Sequence, residues 1–300
     1  MNIEYWLLII LQNMKKIERH YTIGIDVGGT NMKAVLFDGE EVVADYLLAT
    51  PKDTLDHFMI MLNALIEPLQ EKTRKDRLKI KGIGLSVAGP VDYQKQIILK
   101  APNIPLLDGI KLGEQLENRI NLPVKMDNDG NCFLKAEIKL GAAKKFNNVY
   151  GITIGTSIGS AWWFDNKIYR GQSGNACELA HTIINFTEPI SLEQAHQKLT
   201  QNNPANLAEE AYRGDELAQK SYEEIGKILG LAFANIVNLI SPEAIIIGGG
   251  VVESSNLFLS QIKKTMRTYI INPEAKKIKV VKGNLGENAG AIGAALLISV

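Results

Sequence analysis

Apolar positions change their period along this chain, and each change marks an element. From Tyr21 they alternate through "YTIGIDV", break at "GGT", and resume through "MKAVLF". That pattern predicts two antiparallel strands around a glycine turn, and "DGEEV" then turns into a third strand. Two runs, "IKGIGLSVAGP" (residues 80–90) and "PEAIIIGGGVV" (242–252), are apolar without interruption and end in glycines, as buried strands do. Helical spacing runs over about 55–72, 110–120, 130–140, 216–239, 257–270 and 289–298, with further strands near Val124 and over 277–281. Strands alternating with helices predict an α/β protein whose sheets are covered by helices.

The pattern also repeats. With Ile23 laid on Tyr150, "IGIDVGGTNMKAVLFDGEEV" matches "YGITIGTSIGSAWWFDNKIY" in strand, glycine turn, second strand ending in Phe-Asp, and third strand. The two uninterrupted strands match in order as well, each following a long helix. A double match in order points to duplication, and 300 residues suit two domains.

Composition narrows the function without choosing it. The 33 basic residues balance 33 acidic ones, so no overall charge marks a nucleic-acid or membrane surface. Two cysteines, Cys132 and Cys177, build no disulfide framework and suit a reducing, cytoplasmic setting. "YWLLIIL" (5–11) is far short of the ~20 residues of a membrane span and lacks the flanks of a secretory signal. Residues 1–20 read as an appendage to the folded pattern, with Met14 a candidate start.

The two glycine turns carry the first candidate chemistry. Without Cβ atoms, Gly28 and Gly29 let backbone N–H groups approach an anion, with Thr30 adding a hydroxyl. Gly155, Thr156, Ser157 and Gly159 offer the same groups in the second half. Facing across a cleft, such turns would clamp a polyphosphate. Asp26 stands where the repeat has Thr153. A carboxylate beside a phosphate nest calls for an intervening cation, which suggests Mg²⁺, directly or through water. Lys33 either neutralises phosphate or is a solvated hairpin lysine. Gly249 and Gly250, after a buried strand, leave room for a ring or ribose, or form a plain tight turn. The chain has neither the GK[ST] ending of a P-loop nor the GxGxxG of a dinucleotide fold.

The second chemistry lies in "KMDNDGN" (125–131), a strand-to-helix corner crowded with carboxylates and amides. An N-cap would account for one of them; hydroxyl recognition and proton abstraction would account for several. Asp129, at the helix N-terminus, is the candidate base, with an ordinary pKa near ~3.9. Asp127 has the opposite parity to Leu122, Val124 and Met126 and points away. Asn103 in "APNIP", and Glu178 and His181 in "ELAH", with Glu193 in "SLEQA", are polar candidates for sugar hydroxyls; each also suits a structural role.

Taken together, "IDVGGT", "GLSVAGPVD", "APNIP", "DNDGN", "GTSIG", "ELAH", "SLEQA", "IIIGGG" and "LGENAGAIGAALL" resemble the ROK family of sugar kinases and repressors, over 21–300. The resemblance implies two actin-like (ribonuclease H-like) ATPase domains around an interdomain cleft. These are 21–127 plus 285–300, where the final helix packs back, and 128–284. It implies a cytoplasmic, homodimeric, ATP- and Mg²⁺-dependent kinase acting on a hexose or N-acetylhexosamine. By the same resemblance Asp26, Gly28, Gly29, Thr30, Lys33, Gly155, Thr156, Gly249 and Gly250 serve ATP. Asn103, Asn128, Glu178, His181 and Glu193 serve the sugar, and Asp129 is the base. The cysteine-rich stretch that gives the family its zinc ligands is replaced by "TIINFTEPISLE", so no structural zinc is expected. Ser157 and Ala180 stand where the family usually has glycine. Repressors of the family add a DNA-binding module, for which about 20 residues before the first strand are too few, so nucleic acid is not an expected partner. A sugar-independent ATPase on the same fold would lack the Asn103, Asn128, Asp129, Glu178 and His181 set.

Overall fold

The computed structural model describes residues 20–298, so the expectations for the amino-terminal appendage lie outside the described residues. Two five-stranded sheets dominate. The first comprises β1 (Tyr21–Val27), β2 (Asn31–Phe37), β3 (Val42–Ala49), β4 (Ile80–Val87) and β5 (Val124–Asn128), in the order β3-β2-β1-β4-β5. The second comprises β6 (Val149–Ile154), β7 (Ile158–Phe164), β8 (Lys167–Ile168), β9 (Ala244–Gly248) and β10 (Lys279–Lys282), in the order β8-β7-β6-β9-β10. In each sheet the first three strands are antiparallel and the last two run parallel to the first. The repeat read from the sequence is therefore a repeat of topology.

Strand alternation assigns each face of a sheet to a different helix. Ile23, Ile25 and Val27 of β1 face α1 (Leu55–Lys75), whose Phe58, Leu62, Leu65 and Leu69 are fully buried against them. In the second sheet Ile152, Ile154, Ile245 and Ile247 face the long α6 (Glu216–Ile240). The opposite face of that sheet, with Val149, Ala161 and Ile246, receives Phe133 and Leu134 of α3 (Asp129–Lys139). The opposite face of the first sheet receives α8 (Ala289–Ala295), rich in alanine and glycine. A methyl group on Gly24 would lie 1.8 Å from the Ala291 carbonyl oxygen, and one on Gly84 equally close to that of Ala294. Only bare backbone lets α8 settle onto the sheet.

α8 and α3 also touch. Ala136 of α3 shares a small core with Ala291, Ile292 and Ala295, and Gly293 lies against the Cys132 backbone. The two halves are thus joined through a pair of helices, each covering one sheet. Between α1 and α3 lies α2 (Leu112–Ile120), and after α6 comes α7 (Leu259–Tyr269), packed along it. The sequence reading did not anticipate two short helices in the second half, α4 (Leu192–Thr200) and α5 (Pro204–Tyr212). Where the family usually has zinc-binding cysteines, Ile183–Asn185 and Ile190–Ser191 pair as a two-stranded ribbon. The ribbon leads into α4 through a capping box between Ser191 and Gln194.

Candidate active site

A cavity of about 320 Å³ opens between the halves, lined by both sheets' strand ends and by the segment entering α8. The first glycine turn is closed by Gly28 N–H donating to the Asn31 carbonyl (3.0 Å), and the second by Gly155 N–H donating to the Ser157 carbonyl (3.0 Å). The second turn is one residue shorter. The two turns meet at Asn103: its Cβ lies against Gly29, and its amide donates to Ser157 Oγ (3.4 Å).

Asp26 and Asp129 both line the cavity. Asp26 is the last residue but one of β1 and accepts a hydrogen bond from Ser86 Oγ (2.6 Å), its register partner on β4. Its carboxyl also lies against Gly290, at the start of α8. Burial holds its pKa above the ordinary carboxylate value, against the lowering effects of Ser86 and of Lys33.

Asp129 is the first residue of α3, and the cap is Asn128, whose Oδ1 accepts from Gly130 N–H (2.9 Å) and Asn131 N–H (3.3 Å). The N-cap position thus falls to the neighbour, although Asp129 Oδ1 also accepts from Gly130 N–H (2.9 Å). A methyl group on Gly159 would lie 3.5 Å from each Asp129 carboxyl oxygen and 2.6 Å from Thr153 Oγ1, so β7 passes directly beside the acid. The expected pKa near ~3.9 is corrected here. Burial first, then the charge of Asp26, with a smaller contribution from Glu178, pushes Asp129 up to about 7.

The other expected residues divide. Gly28, Gly249 and Gly250 line the cavity, and Gly249 has a φ of +87° with Ile154 backbone at its back. Gly155 and Thr156 form the second turn. Thr30 is exposed, and its carbonyl accepts from Thr50 N–H (2.9 Å). Lys33 lies between Asp45 (3.8 Å) and Glu287 (3.6 Å). Asn128, besides capping, donates its amide to the Gly89 carbonyl (3.0 Å). Glu178 precedes a short 3₁₀ turn and His181 ends it, both largely exposed; partial desolvation of the Glu178 carboxyl raises its pKa against the charge of His181. Glu193 accepts from Ile158 N–H (2.8 Å) and from the Gln197 amide (2.9 Å), which fixes the exit of the second turn.

Sequence reasoning passed over several residues of the site. Phe133 and Thr153 line the cavity, the latter visible beforehand only as the counterpart of Asp26. Glu137, fully buried on α3, accepts from the N–H groups of Ala142 (2.8 Å), Asn284 (3.0 Å) and Leu285 (3.1 Å). It ties the segment entering α8 to the helix that begins with Asp129. Asp127 is buried and bound to Arg170. Among the described residues no group of three or more histidine, cysteine, aspartate or glutamate side chains is arranged to hold a metal ion, and no helix is long and apolar enough to cross a membrane.

A family model described as ROK family matches residues 22–192 and 190–300. A glucokinase of Streptomyces coelicolor is 26% identical over 91% of this chain and 96% of its own length. A xylose repressor of Bacillus subtilis is also 26% identical, over 93% of this chain and 77% of its own length. Among solved structures, a ROK family glucokinase from Streptomyces griseus in complex with glucose and AMPPNP superposes with a TM-score of 0.80 at 28% identity, covering 93% of this chain and 99% of that one.

Proposed function

Because this chain belongs to the ROK family, with the two-domain actin-like ATPase fold, we propose that it is an ATP-dependent sugar kinase. It transfers the γ-phosphoryl group to a hydroxyl, the 6-hydroxyl of a hexose or N-acetylhexosamine. One observation carries the reading: an acid with a pKa of about 7 stands in a cavity lined by the first glycine turn at Gly28 and by Thr153, Gly248 and Gly249 of the second half. The likeness to a glucokinase bound to glucose and AMPPNP supports it.

In this mechanism the backbone N–H groups of the two turns hold the phosphates, and Gly249 and Gly250 take the nucleoside end. Asn103, Asn128, Glu178 and His181 hold the sugar hydroxyls, with Glu193 keeping the second turn in place beside them. Asp129 accepts the proton of the attacking hydroxyl. A base whose pKa lies near the working pH is ionised in a large fraction of molecules and still holds a proton firmly enough to help the transfer. Asp26 and Asp129 present hard oxygen donors in one cavity, each raised by burial, and this donor set fits a cation. Mg²⁺ would be held on the Asp26 side together with the phosphates, and would there neutralise phosphate charge.

The test is ADP release measured over a panel of hexoses and N-acetylhexosamines. One or a few sugars should raise turnover far above the sugar-free rate; a rate indifferent to every sugar defeats the reading. The equal identity to a xylose repressor favours one second reading, a sugar-responsive regulator, for which DNA retardation that changes on adding sugar is the discriminating result.

A further inference from the structure

The loop from Arg170 to Ala176 belongs to the second half by sequence, yet it is fastened to the first. Ala176 N–H donates to the Arg170 carbonyl (3.2 Å), so the loop is closed at its base, and Glu178 follows two residues later. Arg170 Nη1 donates to Asp127 Oδ1 (2.8 Å) and Nη2 to Oδ2, a two-pronged pair in which the Asp127 side chain is only 4% exposed. Asp127 itself is immobilised, accepting from Asn128 N–H (2.8 Å) and the Asn131 amide (2.9 Å). The guanidinium also sits over the Tyr93 ring, 4.2 Å from its centroid. At the far end of the loop Asn175 Oδ1 accepts from Val91 N–H (3.1 Å), and Gly174 lies against the Tyr93 ring. Asp127, Val91 and Tyr93 all belong to the first half. The nucleotide-side cavity is lined by none of these residues.

From this geometry we propose that Arg170 is a positioning residue for sugar binding. Through Asp127 and Tyr93 it fastens the loop that leads to Glu178 and His181 onto the half that carries Asn103, at the end of the strand that runs into Asp129, so the acceptor site is assembled before sugar arrives. The proposal rests on the kinase reading above. A loop already held in place loses less conformational freedom when it binds, and that saving appears as sugar affinity. Lysine keeps the charge of Arg170 but has neither the planar fork for Asp127 nor the flat face for Tyr93.

The experiment compares the wild-type chain with Arg170→Lys and Asn175→Ala by two measurements. Hydrogen exchange without ligand should accelerate about tenfold or more over residues 174–182 in Arg170→Lys, with the glycine turns at 28–31 and 155–158 unchanged. Steady-state kinetics should show the KM for the sugar rising about tenfold, while the affinity for a fluorescent ATP analogue stays within about twofold. Asn175→Ala should move both readouts in the same direction by less, and it serves alone if the arginine variant does not fold. Exchange that quickens across both halves, or sugar and nucleotide affinity falling together, would mean that the pair only glues the halves and would overturn the assignment; so would no change in either. Should the wild-type protein phosphorylate no sugar, the kinase reading falls by that result, and the exchange data still decide whether Arg170 holds the loop.

Discussion

The two halves of this molecule share a strand order and differ at the points where the proposed chemistry would occur. Each presents a glycine turn at the end of its first strand, yet Asp26 in one half stands where Thr153 stands in the other. The first turn spans Gly28–Asn31 and the second Gly155–Ser157, one residue fewer. Duplicated backbone provides matched N–H groups for a ligand with repeated negative charge. The carboxylates are not duplicated: Asp26 stands last but one in the first strand of one sheet, and Asp129 starts the helix covering the other. Two acids on both hairpins would crowd like charges around a phosphate; the charge of Asp26 already adds to burial in raising Asp129 to about 7. The second half also carries two additions, α4 and α5, ahead of its long helix, where in the first half only residues 50–54 separate the third strand from α1.

The comparison is broken most severely at Asp129. Asp129→Asn should lower turnover by about 10³-fold or more while sugar binding, followed by calorimetry, persists. The same variant should unfold at a higher temperature at neutral pH. An acid with a folded pKa above its unfolded value costs stability once pH rises past the unfolded value, and the amide escapes that cost. In the unliganded wild-type enzyme, kcat/KM should fall as pH drops below about 7, since the base must be ionised to accept a proton.

An addition peculiar to the second half supplies the next test. His196 of α4 is fully buried, both ring nitrogens lack a partner among the described residues, and burial depresses its pKa to about 4. The unfolded chain takes up a proton near pH 6.5 that the folded chain refuses. Stability should therefore be intact above pH 6.5 and decline as pH falls from there to about 4, by up to about 3 kcal/mol. Urea unfolding across that range should show the decline, and His196→Leu should flatten it. Making the halves alike by Asp26→Thr should reduce kcat/KM for ATP by about 10²-fold, with sugar affinity within about twofold. Equal loss for both substrates would refute the assignment of Asp26 to the nucleotide side. The smallest effect is expected at Cys177, whose φ of +72° is awkward for any side chain. Cys177→Gly should stabilise by about 0.5–1 kcal/mol in the same unfolding assay, less whatever the thiol contributes by packing.

Periodicity made both sheets and the four longest helices legible, because each has a face that alternates or recurs over many residues. α4 and α5, nine residues each, were not legible although α2, of the same length, was, so length alone does not account for the difference. Asp129 and Asp26 were legible as acids in the wrong place for mere capping or hairpin duty. Glu137 was not: between Lys135 and Lys139 on a helix it looks like a solvated charge, and its partners lie almost 150 residues further on. Arg170 was hidden for the same reason, since Asp127 and Tyr93 meet it only in space. The shift of Asp129 to about 7 depends on burial and on Asp26, with β7 passing beside the acid at Gly159, neighbours distant in sequence.

α8 has a consequence for synthesis on the ribosome. The sheet translated first keeps one face bare until residues 289–295 emerge, because Gly24 and Gly84 are shaped for that helix alone. A nascent chain halted anywhere upstream displays an unfinished domain to chaperones and proteases. That sheet is therefore completed only after nearly all of the described residues have been made.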